Sequence, residues 1–95
     1  MPRFILSYDL KDAKDSDHAN FKSELITSGW NGCASVSNVL KKLPETTMLG
    51  NFDLVAIASG TVTSAEKAAN VTVSRYVVGE LTGVQKGKLP DDCDP

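Results

Sequence analysis

A mixed α+β fold is predicted by three observations. Apolar, β-prone runs alternate with two stretches of helical periodicity. Glycine, proline and asparagine punctuate them where the chain must turn. The resulting order is strand, helix, strand, strand, helix, strand, the split βαβ arrangement of a ferredoxin-like βαββαβ sandwich. Right-handed crossovers would set both helices on one face of a four-stranded antiparallel sheet. The other face would need cover. In a chain of 95 residues a second copy is the expected cover, giving a homodimer through the sheet face.

The first strand is residues 3–9. Phe4, Ile5, Leu6 and Tyr8 are apolar on both faces of the run, as a central strand requires. The run ends in Asp9, and the charged segment Leu10–Asp17 follows as a loop. Asp15-Ser16-Asp17 opens like a calcium loop, but Ala19 stands at the third ligand position and the turn glycine is missing. Ser16 or Asp17 would cap a helix over 18–28, with Phe21, Leu25 and Ser28 on one face and Gly29 as its left-handed end. His18 falls in the first turn and reads as a surface histidine.

Trp30, the single tryptophan, reads as an anchor between this helix and the next strand. Residues 33–40 alternate imperfectly and read as the second strand. Lys41–Glu45 would be a turn around Pro44, and Thr46–Gly50 the third strand. Residues 53–59 are ambiguous between strand and helix. Leu54, Ala58, Val62, Ala65 and Ala69 recur at three to four residues, so one helix over about 52–69 is predicted, capped by Asn51 or Asp53. Gly60 would cost that helix about 1 kcal/mol and marks a possible kink. Val71–Val78 alternates cleanly as the fourth strand. After Gly79 an irregular edge segment is expected, able to add a strand to a partner. Residues 1–85 form the domain, and 86–95 a polar C-terminal tail free to move in isolation.

Composition narrows the function classes. The net charge of −2 disfavours a broad nucleic-acid surface, because such affinity comes mainly from counterion release by Lys and Arg. No apolar run approaches the roughly 18–20 residues of a membrane span, and residues 1–10 show no signal-peptide pattern. A cytoplasmic protein is expected. Cys33 and Cys93 then read as a buried apolar thiol and an exposed tail thiol. With His18 they have no zinc spacing.

Phe4-Ile5-Leu6-Ser7-Tyr8-Asp9-Leu10 resembles the opening strand of the small ferredoxin-like subunit of CRISPR adaptation complexes and of the related VapD-type ribonucleases. Gly29-Trp30 and Leu43-Pro44-Glu45-Thr46-Thr47-Met48-Leu49-Gly50 are similar to uncharacterised bacterial and phage proteins grouped with them. The resemblance covers residues 3–50 in motif and the whole chain in element order. It implies that Asp9 is the strand-tip carboxylate of that family. Two copies would meet across a dimer axis and hold Mg2+ or Mn2+ for phosphodiester hydrolysis, with Tyr8 as a secondary catalytic candidate. This chain departs from the pattern: its loop after Asp9 is acidic, and Ser35-Val36-Ser37-Asn38 lacks the family's aromatic.

Arg75, Lys41 and Lys42 are the candidates for phosphate contact. Arg75 could equally pair with Asp9 or Glu80, and the lysines are by default a solvated turn. Residue chemistry favours a dimeric interaction module without catalysis, binding a protein partner in a defence or mobile-element system. The resemblance favours a metal-dependent nuclease. A small-ligand sensor is a third reading, which no glycine-rich ligand loop supports.

Overall fold

The computed structural model describes residues 2–36, 38–83 and 88–93. It is an α+β fold: a four-stranded antiparallel sheet, two helices and a separate two-stranded hairpin. The central strand β1 (Arg3–Leu10) pairs on one side with β5 (Thr47–Asn51), from Arg3↔Asn51 to Ser7↔Thr47. On its other side it pairs with β6 (Val73–Leu81), from Arg3↔Leu81 to Leu10↔Val73. The two-residue strand β2 (Trp30–Asn31) borders β5, so the sheet order is β2-β5-β1-β6.

β1 is central, but only one of its faces is fully buried. Phe4, Leu6 and Tyr8 alternate inward while Arg3 and Ser7 stay exposed and Ile5 is half-buried. Side chains alternate faces along a strand, so a run that looks apolar throughout still divides into two sides. The inward set joins Met48 of β5, Trp30 of β2 and residues of both helices in a single core. Helix α1 (Asp15–Thr27) contributes Phe21 and Leu25, one turn apart. Helix α2 (Val55–Ala69) contributes Ala58, Val62 and Ala65, small side chains that let it lie close.

Both helices begin otherwise than expected. Lys14 precedes α1, and its backbone N–H donates to the Asp17 carboxylate at 3.0 Å, so Asp17 acts from within the first turn. Leu54 precedes α2 and neither Asn51 nor Asp53 caps it. Gly29, at φ 115, ends α1 as predicted. α2 runs unbroken through Gly60, which is exposed and has open space where a Cβ would stand.

The span 33–40 is not one strand. It folds back as β3 (Cys33–Val36) against β4 (Val39–Lys42), pairing Cys33↔Lys42 through Val36↔Val39. Asn38 takes the left-handed conformation there, at φ 66, which asparagine tolerates better than most residues. Lys41 and Lys42 therefore lie in a strand rather than a turn. The second position of the sheet passes to Trp30–Asn31. Trp30 sits opposite Gly50, where a Cβ would come within 2.7 Å of the Phe52 ring and 3.0 Å of the Trp30 ring. Its indole N–H donates to Thr61 Oγ1 at 2.7 Å, tying β2 to α2.

The cysteines are joined. Cys33 and Cys93 form a disulfide with Cα atoms 6.0 Å apart. Residues 91–93 lie along β4: the Lys42 N–H donates to Asp91 O at 2.9 Å, and the Cys93 N–H donates to Leu40 O at 3.0 Å. Lys41 and Asp92 form an ion pair. The reading of two free thiols is thus corrected: the second cysteine returns to the first because this segment pairs with β4. Gly79–Leu81 continue β6 against β1 instead of departing as an irregular edge. The remainder of that expected segment, from residue 84, lies outside the described residues, as does Ser37.

Candidate functional site

Asp9 is the second-last residue of β1, beside a bulge in β6. The register steps from Asp9↔Arg75 to Leu10↔Val73, leaving Ser74 as the extra residue. Bulges of this kind turn side chains at strand ends. The Ser74 hydroxyl donates to the Asp9 carbonyl at 3.1 Å. Arg75 lies directly opposite Asp9 on the same face, and its Nη2 donates to Asp9 Oδ2 at 2.6 Å. The two side chains are 50% and 82% exposed, so this is a surface ion pair at the rim. Around it is a shallow cleft of about 200 Å3 lined by Ser7, Tyr8, Asp9, Arg75, Tyr76 and Val77.

Tyr8 points to the other side of the sheet. It is buried, edge-on to Phe21 with ring centroids 4.9 Å apart. Burial, and secondarily the Glu45 carboxylate, push its phenol up to about 12. A neutral, buried phenol facing the helices is a core residue beside the site, and its hydroxyl does not join Asp9. The tyrosine exposed at this end of the sheet is Tyr76, whose hydroxyl shares a 2.8 Å hydrogen bond with Ser59 Oγ of α2.

The basic candidates are split between two places. Arg75 belongs to the Asp9 cleft. Lys41 is held by Asp92, and Lys42 lines a separate groove of about 540 Å3 with Lys22, Ile26, Trp30 and the disulfide. No continuous basic track joins them through the described contacts. His18 is half-buried, not a surface residue, and its Nδ1 is enclosed without a hydrogen-bond partner. It borders a cleft with Asp15 and Glu45.

Among the described residues no group of three or more His, Cys, Asp or Glu side chains could hold a metal ion. The Asp9 cleft offers one carboxylate, already engaged by a guanidinium. Mg2+ and Mn2+ need several hard oxygen ligands, so one chain's donor set does not fit either ion.

Sequence reasoning singled out Asp9 and Arg75, and named their pairing as one option. It did not foresee the roles of Ser74 and Val77. The alternation Val73, Arg75, Val77 was legible, and it places Val77 on the face of Asp9. Its exposure follows from β6 being the outermost strand. No helix among the described residues is long and apolar enough to cross a membrane.

The chain matches no protein-family model, no curated protein and no solved structure.

Proposed function

We propose that this chain is a small dimeric interaction module without catalysis of its own, serving a bacterial or phage defence or mobile-element system, on a ferredoxin-like framework. The observation that carries the non-catalytic reading is the Asp9–Arg75 pair at 2.6 Å, which engages the one carboxylate among the cleft's described residues. The framework is supported by the sheet order. With the β3–β4 hairpin set aside as an insertion, the strands run fourth, first, third, second across the sheet. The dimer is supported by the helix-free side of that sheet, where Val77 is 69% exposed and Ile5 and Leu49 are half-buried. A second copy, or a protein partner, would cover it there.

The compartment is a separate matter. The cytoplasmic expectation rested on the apolar runs and on residues 1–10, and the two cysteines were read as free thiols because of it. Disulfides persist in oxidising surroundings, so the Cys33–Cys93 bridge favours such a compartment over the cytoplasm.

The nuclease reading keeps one favourable observation: Asp9 is half-exposed at a strand tip on the uncovered face. Two copies stacked through that face would be needed to bring two carboxylates to one ion. The test measures cleavage of single- and double-stranded RNA and DNA with Mg2+ or Mn2+, for the wild type, Asp9→Ala and Arg75→Ala, alongside solution mass. The module reading expects a dimer and equal, background-level cleavage in all three. Metal-dependent cleavage lost only in Asp9→Ala would replace it with the nuclease.

A further inference from the structure

We infer that two copies of this chain join edge to edge, by antiparallel pairing of β6 with the partner's β6 centred on Val77. This rests on the dimer reading above but moves its contact from the helix-free face to the open edge of β6, leaving that face to a protein partner.

An unpaired strand edge is a template for another chain, and proteins normally cover or interrupt it. Here two of the other edges are managed. β2 has only two residues, and β4 is covered by Asp91–Cys93. β6 is different: it has nine residues and is the outermost strand of the sheet, with no described residue pairing on its outer side. It contains no proline or lysine, and its one bulge lies near its start, at Ser74.

The register follows from side-chain identity. Two copies related by a two-fold axis perpendicular to the sheet pair antiparallel with their helices on the same side. Directly opposed residues then share a face. With Val77 on the axis, Val77 meets itself on the helix-free face and Arg75 meets Gly79. On the helix side Tyr76 meets Val78 and Ser74 meets Glu80. Every opposed apolar side chain gains an apolar neighbour, and no like charges oppose. Tyr76 and Val77 are 42% and 69% exposed in the single chain, and both would be covered. Shifting the axis to Val78 sets Tyr76 against Glu80 and leaves Val77 against glycine. Shifting it to Tyr76 sets Val77 against Arg75. Val77 is the register that buries the exposed apolar surface.

The geometry also bears on Asp9. In this pairing the two Asp9 residues are separated by three strand spacings laterally and about four residues along the strand. That places them about 20 Å apart, beyond bridging by one ion.

Sedimentation equilibrium over a concentration series, with hydrogen exchange at its two ends, tests the arrangement. The wild type should rise from 10.1 kDa toward twice that mass, with amides of Arg75–Gly79 exchanging more slowly at high concentration. Val77→Lys should stay monomeric and folded by circular dichroism, while Leu49→Lys, altering the sheet face away from β6, should still dimerise. A dimer that survives Val77→Lys, or whose β6 amides exchange as fast as the monomer's, overturns the edge contact and leaves the dimer reading standing. A wild type that is monomeric throughout overturns both.

Discussion

Removing the Cys33–Cys93 bridge should destabilise the whole fold, although it joins only the hairpin and the last described segment. The bridge closes a span of 60 residues containing β4, β5, α2 and β6. By chain entropy, closing a loop of that length lowers the entropy of the unfolded chain enough to stabilise the native state by about 4 kcal/mol at 25 °C. Part of that is returned on removal. Among its described residues the hairpin holds one buried side chain, Ala34, and residues 91–93 are attached by a few backbone hydrogen bonds and the Lys41–Asp92 pair. Without the bridge that segment regains freedom in the native state, so the net loss should be about 2–4 kcal/mol. The double variant Cys33→Ser, Cys93→Ser is compared with the wild type by urea unfolding, read by fluorescence of the buried Trp30. With a urea slope of about 2 kcal/mol/M, the middle of the usual range, the midpoint should fall by about 1–2 M. Wild type in reducing buffer should follow the variant's curve. A midpoint unchanged by both treatments would refute the reasoning. It would mean that the segment from β4 to β6 is not constrained by the bridge in the unfolded chain.

Gly50→Ala should cost about 1–3 kcal/mol, as overpacking does, because its Cβ would lie 2.7 Å from Phe52, 3.0 Å from Trp30 and 3.1 Å from the Gly29 carbonyl. The same urea assay measures it, and unchanged stability would remove Trp30's seat over Gly50 from the account of β2. Tyr8 should make stability fall in alkali. Its folded phenol is raised from 10.0 to about 12, first by burial and then by Glu45. Its contribution is therefore complete below pH 10 and is lost as pH rises through about 12. Unfolding midpoints from pH 8 upward should show this fall in the wild type and a shallower one in Tyr8→Phe; equal slopes would sink it.

Elements set by periodicity were readable from sequence. β1 and the apolar positions of α1 and β6 lie where the spacing of Phe4, Phe21, Leu25 and the Val73–Val77 alternation puts them, although α1 begins at Asp15 rather than at 18 and β6 runs to Leu81 rather than to 78. α2 was resolved from an ambiguous segment by Ala58, Val62 and Ala65 returning to one face. The second strand was misread because a short turn at Asn38 breaks 33–40 into a hairpin, and alternation on either side of such a turn looks like one strand. β2 escaped because two residues carry no period. Its position depends on an indole over a glycine 20 residues later in the chain, Trp30 on Gly50. The disulfide escaped for the same kind of reason. It depends on residues 91–93 finding the β4 edge, a tertiary event that cysteine spacing does not encode.

The candidate site divides along the same line. The Asp9–Arg75 pair was legible because both residues lie on predicted strands and carry opposite charges. Whether that pair is an end in itself or half of a metal site depends on a second chain, and the sequence of one chain records such a contact only faintly. What it does record is one-sided burial: β1 sends Phe4, Leu6 and Tyr8 into the core, and leaves Arg3 and Ser7 exposed with Ile5 half-buried. A second copy, as proposed, would meet either the helix-free face or the open edge of β6, and the two alternatives have opposite consequences for Asp9. Face-to-face stacking can bring two carboxylates together; pairing through Val77 holds them about 20 Å apart. For the proposed dimer, function and quaternary geometry are thus one question, and the position of Val77 relative to its axis would decide both.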